Sequence, residues 1–229
     1  MANELPVINI KAQSNHHAVF LMLTASFIAF TTLVFSQGYW RQFQLPLIFI
    51  YLSALVTFIT GLAKYLQPPY SLYLTPKVIK YQHRYGQWYI NWQQIQRISL
   101  INETYGLNSI QLPYIGIRLL DLSIIATHIS PRLANRLIHE QRPLLALAIK
   151  MGYLTLQQSV LNFEPYVLPS GERLKGPLAA FLHHSAALHN ALGYHLFLPE
   201  SAIDRELSEF CTLLNQCMRS ASKYHEAPR

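Results

Sequence analysis

Cysteine is nearly absent from this chain of 229 residues, which contains only Cys211 and Cys217. Small domains that fold outside the cell compensate for a limited core with several disulfides, so a framework of that kind is excluded. A spacing of six residues also does not place both thiols on one metal ion. We therefore expect both cysteines to be reduced in a cytosolic environment, with Cys211 as a small core residue.

Carboxylates are the second scarce group, because the chain holds 11 Asp and Glu against 18 Lys and Arg. Glu140, Glu164 and Glu172 are isolated, and no helix carries a pair of acids suited to general acid–base catalysis. The Walker, G-x-G-x-x-G and G-x-S-x-G sequences are missing as well. These absences predict that the protein is not an enzyme, has no catalytic residues and needs no cofactor.

Histidine, in contrast, is common, with ten copies. Four of them fall close together: His183, His184, His189 and His195. Zinc sites on helices pair two histidines four residues apart beside a carboxylate, whereas separations of five and six residues direct these rings to different faces. We predict no metal site, and a metal-dependent enzyme that uses this His-rich helix stays open as an alternative.

Positive charge is unevenly distributed along the chain. Up to residue 63 the only fully charged residues are Glu4, Lys11 and Arg41, so the remaining chain carries a net charge of +6. It contains no dense run of Lys and Arg, which disfavours nucleic acid as a partner. A basic domain of this kind favours a negatively charged partner, such as the anionic headgroups of a membrane.

Two long apolar segments near the start are the strongest positive signal. They are residues 18–36 (AVFLMLTASFIAFTTLVFS) and residues 45–63 (LPLIFIYLSALVTFITGLA), and neither contains a charged residue. Each has about 19 residues, enough to cross a hydrocarbon core of about 30 Å. We predict a transmembrane helical hairpin at residues 18–63, in preference to a cleaved signal peptide or a hairpin buried in a soluble fold. The lack of ionisable residues argues against an ion path.

The charges around the hairpin predict its orientation. Its short loop contains one cation, Arg41, and the aromatic residues Tyr39 and Trp40, which are typical of an aromatic belt at the lipid boundary. Cations outside the hairpin are more numerous: Lys11, Lys64, Lys77, Lys80 and Arg84. By the positive-inside rule we expect both termini on the cytoplasmic side, with residues 1–17 as a cytoplasmic leader.

The pattern becomes β-like after a linker at residues 64–69. Short segments rich in β-forming residues predict strands at residues 70–75, 77–82, 85–91, 97–101 and 114–120, with a loop over residues 102–112. Trp88, Ile90 and Trp92 alternate on one face, as in a half-buried antiparallel strand. Gly86 supplies the turn that precedes this strand.

Residues 74–100, LTPKVIKYQHRYGQWYINWQQIQRISL, resemble the opening meander of bacterial PH-like domains. The matching positions are Thr75 at a strand end, Gly86 in a hairpin, and Trp92 followed by Ile95 in a short turn. Many such proteins have two membrane helices directly upstream. The whole chain is similar to an uncharacterised bacterial family, a domain of unknown function with this layout. The resemblance covers about residues 18–120 and the last helix, and it implies a multi-pass protein of the bacterial inner membrane.

A helical insertion at about residues 121–193 departs from that pattern. Ser130 with Pro131 is predicted to begin one helix, and Gly176 with Pro177 another. A closing strand at residues 194–198 precedes a final helix that begins at Ser201. The predicted fold is α+β: an N-terminal transmembrane helical hairpin, then a PH-like antiparallel β domain at residues 70–229 with the helical insertion and a C-terminal capping helix.

Basic residues in the first hairpin and along the inserted helix are candidates for contact with the membrane. They are Lys77, Lys80, Arg84, Arg132, Arg136 and Arg142. Both sets are suited to anionic headgroups or an acidic partner, and a solvated sheet edge or helix face is the alternative.

The predicted function is that of a membrane-anchored, non-enzymatic PH-like interaction or scaffold module, with an unknown protein partner or a second copy of the chain. The alternative is a module that senses anionic lipid at the inner membrane surface.

Overall fold

The computed structural model describes residues 7–11, 18–66, 68–105 and 108–226. Residues 1–6 and 12–17 of the predicted leader, Gln67 of the predicted linker, and residues 106–107 of the predicted loop lie outside the described residues. The chain divides into two compact units. Residues 12–69 form one, the helical unit, and residues 1–11 together with 70–229 form the other, the sheet unit.

The helical unit consists of α1 (Ala18–Tyr39) and α2 (Gln44–Tyr65). Each helix buries one residue in every seven: Ala18, Ala25 and Thr32 on α1, and Leu47, Ala54 and Gly61 on α2. A repeat of seven keeps one stripe of each helix in contact with its neighbour. Small residues in the stripe let the backbones approach, and a Cβ added at Gly61 would lie 2.8 Å from the Cγ of Met22.

The remaining faces of the two helices are apolar and exposed. Phe20, Phe27 and Phe49 are 66 %, 68 % and 69 % exposed. Only 17 % of the residues in each apolar stretch are buried, whereas a core helix of a soluble protein would be mostly buried. Both helices are long enough and apolar enough to span a membrane.

A four-stranded antiparallel sheet, sheet 1, begins the sheet unit. Its strands, in spatial order, are β1 (Ile8–Ile10), β2 (Leu72–Leu74), β3 (Val78–His83) and β4 (Gly86–Asn91). β1 precedes the helical unit in the chain and β2 follows it, yet the two strands pair with Ile10 opposite Leu72. The backbone N–H of Ser71 donates to the carbonyl of Ile10 at 2.9 Å. No pattern around residues 8–10 predicts this strand.

The side chains of sheet 1 alternate between a buried and an outer face. Trp88 and Ile90 are buried, as the alternation in the sequence predicts. Trp92 is buried as well, in the 3₁₀ turn Trp92–Gln94, and its indole N–H donates to the carbonyl of Thr75 at 2.7 Å. These rings join the main hydrophobic core of the sheet unit.

A second antiparallel sheet, sheet 2, consists of β5 (Ile95–Tyr105), β6 (Asn108–Leu119) and β9 (Leu196–Pro199), in that order. The predicted loop over residues 102–112 is wrong for the described part of that segment, because both strands continue through it and Tyr105 pairs with Asn108. Pairing satisfies the backbone N–H and C=O groups whatever the side chains are, so a polar sequence can stay in the strand.

The segment between β6 and β9 is mainly helical. It contains α3 (Ser123–His128), α4 (Pro131–Glu140), α5 (Arg142–Lys150), α6 (Leu156–Ser159), a small hairpin of β7 (Tyr166–Val167) and β8 (Arg173–Leu174), and α7 (Pro177–Leu192). Gly193 ends α7 in the left-handed conformation, with φ at 82°. α7 packs against α4 and α5.

The final helix, α8 (Leu207–Glu226), begins at Leu207 and not at Ser201 as predicted. Ser201 lies instead in the 3₁₀ turn Glu200–Ala202. α8 packs against β5 and β6, and the amide of Asn215 donates to the carbonyl of Ile98 at 3.2 Å. The predicted α+β class is confirmed: the chain has two N-terminal apolar helices, antiparallel sheets with helices, and a C-terminal helix.

Gly116 on β6 makes a close approach that allows a test of the packing of sheet 2. A Cβ added there would lie 2.4 Å from the ring Cγ of Tyr194. That ring is 8 % exposed, and its hydroxyl is hydrogen-bonded to Ser99. We expect Gly116→Ala to lower the free energy of unfolding by about 1–3 kcal/mol, measured by denaturant titration of the full chain in detergent. In a Tyr194→Ala background the same change should cost much less, and equal costs would contradict this account.

Candidate functional site

The outer face of sheet 1 carries a row of aromatic and basic side chains, which we call the basic–aromatic strip (Lys11, Tyr70, Tyr73, Lys80 and Tyr89). Strand register places its central members side by side, with Tyr73 opposite Lys80 and Lys80 opposite Tyr89. Their neighbours along each strand, such as Ile79 and Ile90, are buried in the core. The central residues of the strip therefore occupy the outward-facing positions of strands whose inward-facing side chains form the core.

Ring and cation contacts connect four of the five members of the strip. The Lys80 Nζ lies 5.6 Å from the ring centroid of Tyr73, and the Lys11 Nζ lies 5.9 Å from that of Tyr70. The two tyrosine rings meet edge to face at 5.8 Å. Cation–π contacts of this kind hold an ammonium group in place without neutralising its charge. Within the described residues, neither lysine forms an ion pair with a carboxylate.

A second basic cluster lies at the tip of the β3–β4 hairpin, against α4. Arg84 and Arg136 both approach the ring of Tyr85, with guanidinium carbons 5.9 and 5.4 Å from its centroid. The Nε of Arg136 donates to Glu140 at 2.7 Å. The structure thus brings two of the predicted basic residues together, but Glu140 compensates part of their charge.

Gly86 positions this hairpin tip against the start of α4. It has a φ of 138°, and an added Cβ would lie 1.8 Å from the Oγ of Ser130. His83, beside the tip, is 3.7 Å from Glu140. Burial lowers the pKa of His83, and the charges of Arg136 and Arg84 lower it further, whereas Glu140 opposes the shift.

The other predicted basic residues do not join either cluster. Lys77 is exposed in the turn between β2 and β3, Arg132 is exposed on α4, and Arg142 is exposed at the start of α5. In the helical unit, Tyr39 ends α1 and stacks on Phe35 at 4.8 Å, and Trp40 follows in the turn. Tyr39 and Trp40 are 49 % and 44 % exposed, as residues of an aromatic belt would be.

The four clustered histidines do not converge on one point. His183 contacts the carbonyl of Glu164 at 3.2 Å, and His184 contacts the side chain of Gln141 at 3.2 Å. His189 stacks on His195 with centroids 3.9 Å apart. In the part of the chain that the structure describes, no three His, Cys, Asp or Glu side chains come together as a metal site would require.

Burial has the largest effect on two of these histidines. It lowers the pKa of His184 to about 4. The pKa of His195 also falls to about 4, mainly through burial, with further lowering by His189 and Arg118 and opposition from Asp121. Both rings are therefore neutral at pH 7 and act through their N–H groups and lone pairs.

The two cysteines are free thiols on α8. Burial raises the pKa of Cys211 and of Cys217, which keeps both in the unreactive thiol form at neutral pH.

Reasoning from sequence missed most of the strip. Lys80 was a candidate, but Lys11, Tyr70, Tyr73 and Tyr89 were not. Tyr89 and Lys80 carried a signal, since each alternates with buried residues along its strand. Lys11 carried none, because its position depends on β1, which pairs with a strand about 60 residues away.

Comparison with known proteins gives a family but no function. The sequence model of a family described as Protein of unknown function (DUF2982) matches residues 72–220, about two thirds of the chain. The match begins with β2 and ends within α8, so it lies in the sheet unit. No curated protein and no solved structure matches the chain.

Proposed function

Because the chain belongs to the DUF2982 family of unknown function, we propose from its geometry that it is a membrane-anchored, non-enzymatic PH-like interaction module. In this proposal α1 and α2 cross the bacterial inner membrane, and the basic–aromatic strip contacts anionic lipid headgroups beside them. The observation that carries the proposal is the pairing of β1 with β2 on either side of the apolar helices.

This pairing supports one orientation of the hairpin. Ile8–Ile10 comes before α1 and Leu72–Leu74 comes after α2, but they are hydrogen-bonded neighbours in one sheet. An open sheet cannot extend across a hydrocarbon core, so β1 and β2 must lie on the same side of the membrane. A spanning hairpin would then have the start of α1 and the end of α2 on that side. The excess of cations outside the hairpin loop makes that side the cytoplasmic one. Both termini are then cytoplasmic.

The position of the strip in the sequence supports contact with lipid in preference to a distant partner. Six residues separate Lys11 from α1, and four separate Tyr70 from α2. Fully extended, those connections reach no more than about 25 Å and about 18 Å. Lysines without carboxylate partners, interleaved with tyrosines, suit an anionic and partly apolar interface.

The PH-like part of the proposal is supported by the order and packing of the strands and of the last helix. The resemblance implies a meander, a closing strand and a helix that closes the sheet. The chain has β2–β4 as a meander, β9 added to β6, and α8 packed against β5 and β6. The helical segment between β6 and β9 is the departure from that pattern.

Lysine footprinting tests the contact with lipid. The full chain is placed in nanodiscs of phosphatidylcholine alone or with phosphatidylglycerol, and acetylation rates are read by mass spectrometry. We expect Lys80 and Lys11 to react several-fold more slowly in anionic discs at low salt, and to recover at high salt as charges are screened. Lys175, which is exposed and outside the strip, is the internal control and should react equally in all discs.

Two results would overturn the proposal. One is an equal Lys80 rate in neutral and anionic discs. The other is protection of Lys80 that persists in detergent and depends on protein concentration, which would assign the strip to a protein partner or to a second copy of the chain. Tyr89→Ser should weaken the protection of Lys80. Gln87→Ser, on the same strand, is the matched control and should leave that protection unchanged, because Gln87 is not part of the strip.

A further inference from the structure

Sheet 2 carries a second cluster of cations, which shares no residue with the strip. Arg97 on β5 and Arg118 on β6 are direct cross-strand partners. Like charges placed opposite each other destabilise a sheet unless something compensates them. Among the described residues neither guanidinium forms an ion pair. The pair therefore does not stabilise the sheet, which favours a role in binding for the two arginines.

The row of polar groups continues onto the third strand and the helix beside it. Ile117 pairs with Leu196, so the next position in register sets Arg118 beside His195. His195 in turn stacks on His189 of α7, with ring centroids 3.9 Å apart and planes at 12°. Two guanidinium groups and two imidazoles thus follow one another across the end of sheet 2.

The imidazole of His195 is oriented so that its Nε2–H can donate a hydrogen bond. Its Nδ1 accepts the backbone N–H of Leu119 at 3.0 Å, which leaves the proton of the neutral ring on Nε2. The side chain is 8 % exposed. The Nδ1 of His189, by contrast, is buried and has no hydrogen-bond partner in the part of the chain that the structure describes. Buried polar atoms in this state are costly, and such atoms often mark a ligand site.

Arg97 is also held in place. Its guanidinium lies 5.9 Å from the ring centroid of Tyr194. That ring rests on Gly116, and its hydroxyl is bonded to Ser99, the residue opposite Gly116 on β5. Asp121, the one carboxylate among the described residues whose charge acts on His195, accepts two hydrogen bonds from Ser123. The cluster is therefore ordered before any ligand arrives.

We propose that Arg97, Arg118, His189 and His195 form a binding site for a phosphate group. Two guanidinium forks and an imidazole N–H offer more donors than a single carboxylate can use, and they suit the several oxygens of a phosphate. The phosphate belongs either to a soluble phosphorylated molecule or to a lipid headgroup. This site is on sheet 2 and shares no residue with the strip, so it goes beyond the proposed function and stands or falls separately.

The test uses the full chain in detergent and a phosphate-free buffer, with inorganic phosphate and dihexanoyl phosphatidic acid as probes in isothermal titration. We expect saturable binding of phosphate, weakened about tenfold or more in Arg118→Gln and in Arg97→Gln. Arg132→Gln, an exposed arginine on α4, is the matched control and should bind as the parent does. Tighter binding of phosphatidic acid than of phosphate would assign the site to lipid, and equal binding would assign it to soluble phosphates.

A stability measurement separates ligand binding from a structural role. Without phosphate, Arg118→Gln should be at least as stable as the parent, because a like-charge pair is removed. Added phosphate should raise the melting temperature of the parent and of Arg132→Gln, but not that of Arg118→Gln. Absence of saturable binding for both probes, or equal phosphate affinity in the parent and Arg118→Gln, would overturn the proposal.

Discussion

Lowering the pH from 7 to 4 is expected to destabilise the sheet unit by several kcal/mol, through two buried histidines. The pKa of His184 and that of His195 are each about 4 in the folded protein, against an ordinary value of 6.5. Between pH 6.5 and pH 4 both histidines are therefore protonated in the unfolded chain but mostly neutral in the folded protein. The contribution of the two histidines to the free energy of unfolding is fully present above pH 6.5 and decreases as the pH falls toward 4. Below pH 4 these two groups cause no further loss.

The size of the effect follows from the shift. A fall in pKa from 6.5 to about 4 corresponds to about 3 kcal/mol for one histidine, so the pair contributes at most about 6 kcal/mol. That is a large part of the stability of an ordinary domain. The free energy of unfolding is measured at several pH values by denaturant titration of the full chain in detergent, in chloride buffers free of phosphate.

One substitution isolates the contribution of His184. His184→Gln keeps a polar side chain near Gln141 but cannot titrate, so the loss of stability between pH 7 and pH 4 should shrink by about 3 kcal/mol. His139→Gln, at an exposed position on α4, is the matched control and should show the same acid loss as the parent. An unchanged acid loss in His184→Gln would show that the pKa of this histidine is not lowered in the folded protein, which would contradict the prediction.

Placing a carboxylate in β1 is expected to have the second large effect. Ile10 is fully buried in the main core, and its carbonyl accepts hydrogen bonds from the N–H and the hydroxyl of Ser71. Ile10→Asp removes the apolar side chain of Ile10 from the core and places an unpaired carboxylate there. We expect a loss of about 4 kcal/mol or release of β1 from the sheet.

The neighbouring residue provides the control for this substitution. Asn9 lies on the outer face of the same strand and is exposed, so Asn9→Asp introduces the same charge at almost no cost. Denaturant titration gives the stability, and hydrogen exchange of the β2 amides reports whether β1 has left. If the two variants differ in stability by less than about 1 kcal/mol, β1 does not contribute to the core as described.

Local patterns predicted those elements whose formation depends on near neighbours. Two uncharged apolar segments predicted α1 and α2, and alternation around Gly86 predicted β3 and β4. The start of α7 at Pro177 followed from the preference of proline for the first turn of a helix. The loop over residues 102–112 was wrong because a strand there depends on its partner strand and not on its own composition.

The candidate sites were harder to predict than the elements. Lys80, Arg84 and Arg136 were found because basic residues beside a membrane segment are visible in the sequence. Tyr73, the cross-strand neighbour of Lys80, was not, because cross-strand neighbours depend on register. Arg97 and Arg118 are 21 positions apart in the chain, and only the β5–β6 register places them side by side.

The amino-acid sequence alone determined that the chain has two helices able to span a membrane, a basic remainder and an α+β class, because length, charge and periodicity are properties of consecutive residues. Tertiary structure alone decided that residues 8–10 complete sheet 1, that a basic–aromatic strip crosses it, and that two arginines meet on sheet 2. Those features need contacts between residues far apart in the chain, and such contacts form only when burial of the shared core outweighs the entropy of closing the long loops between them.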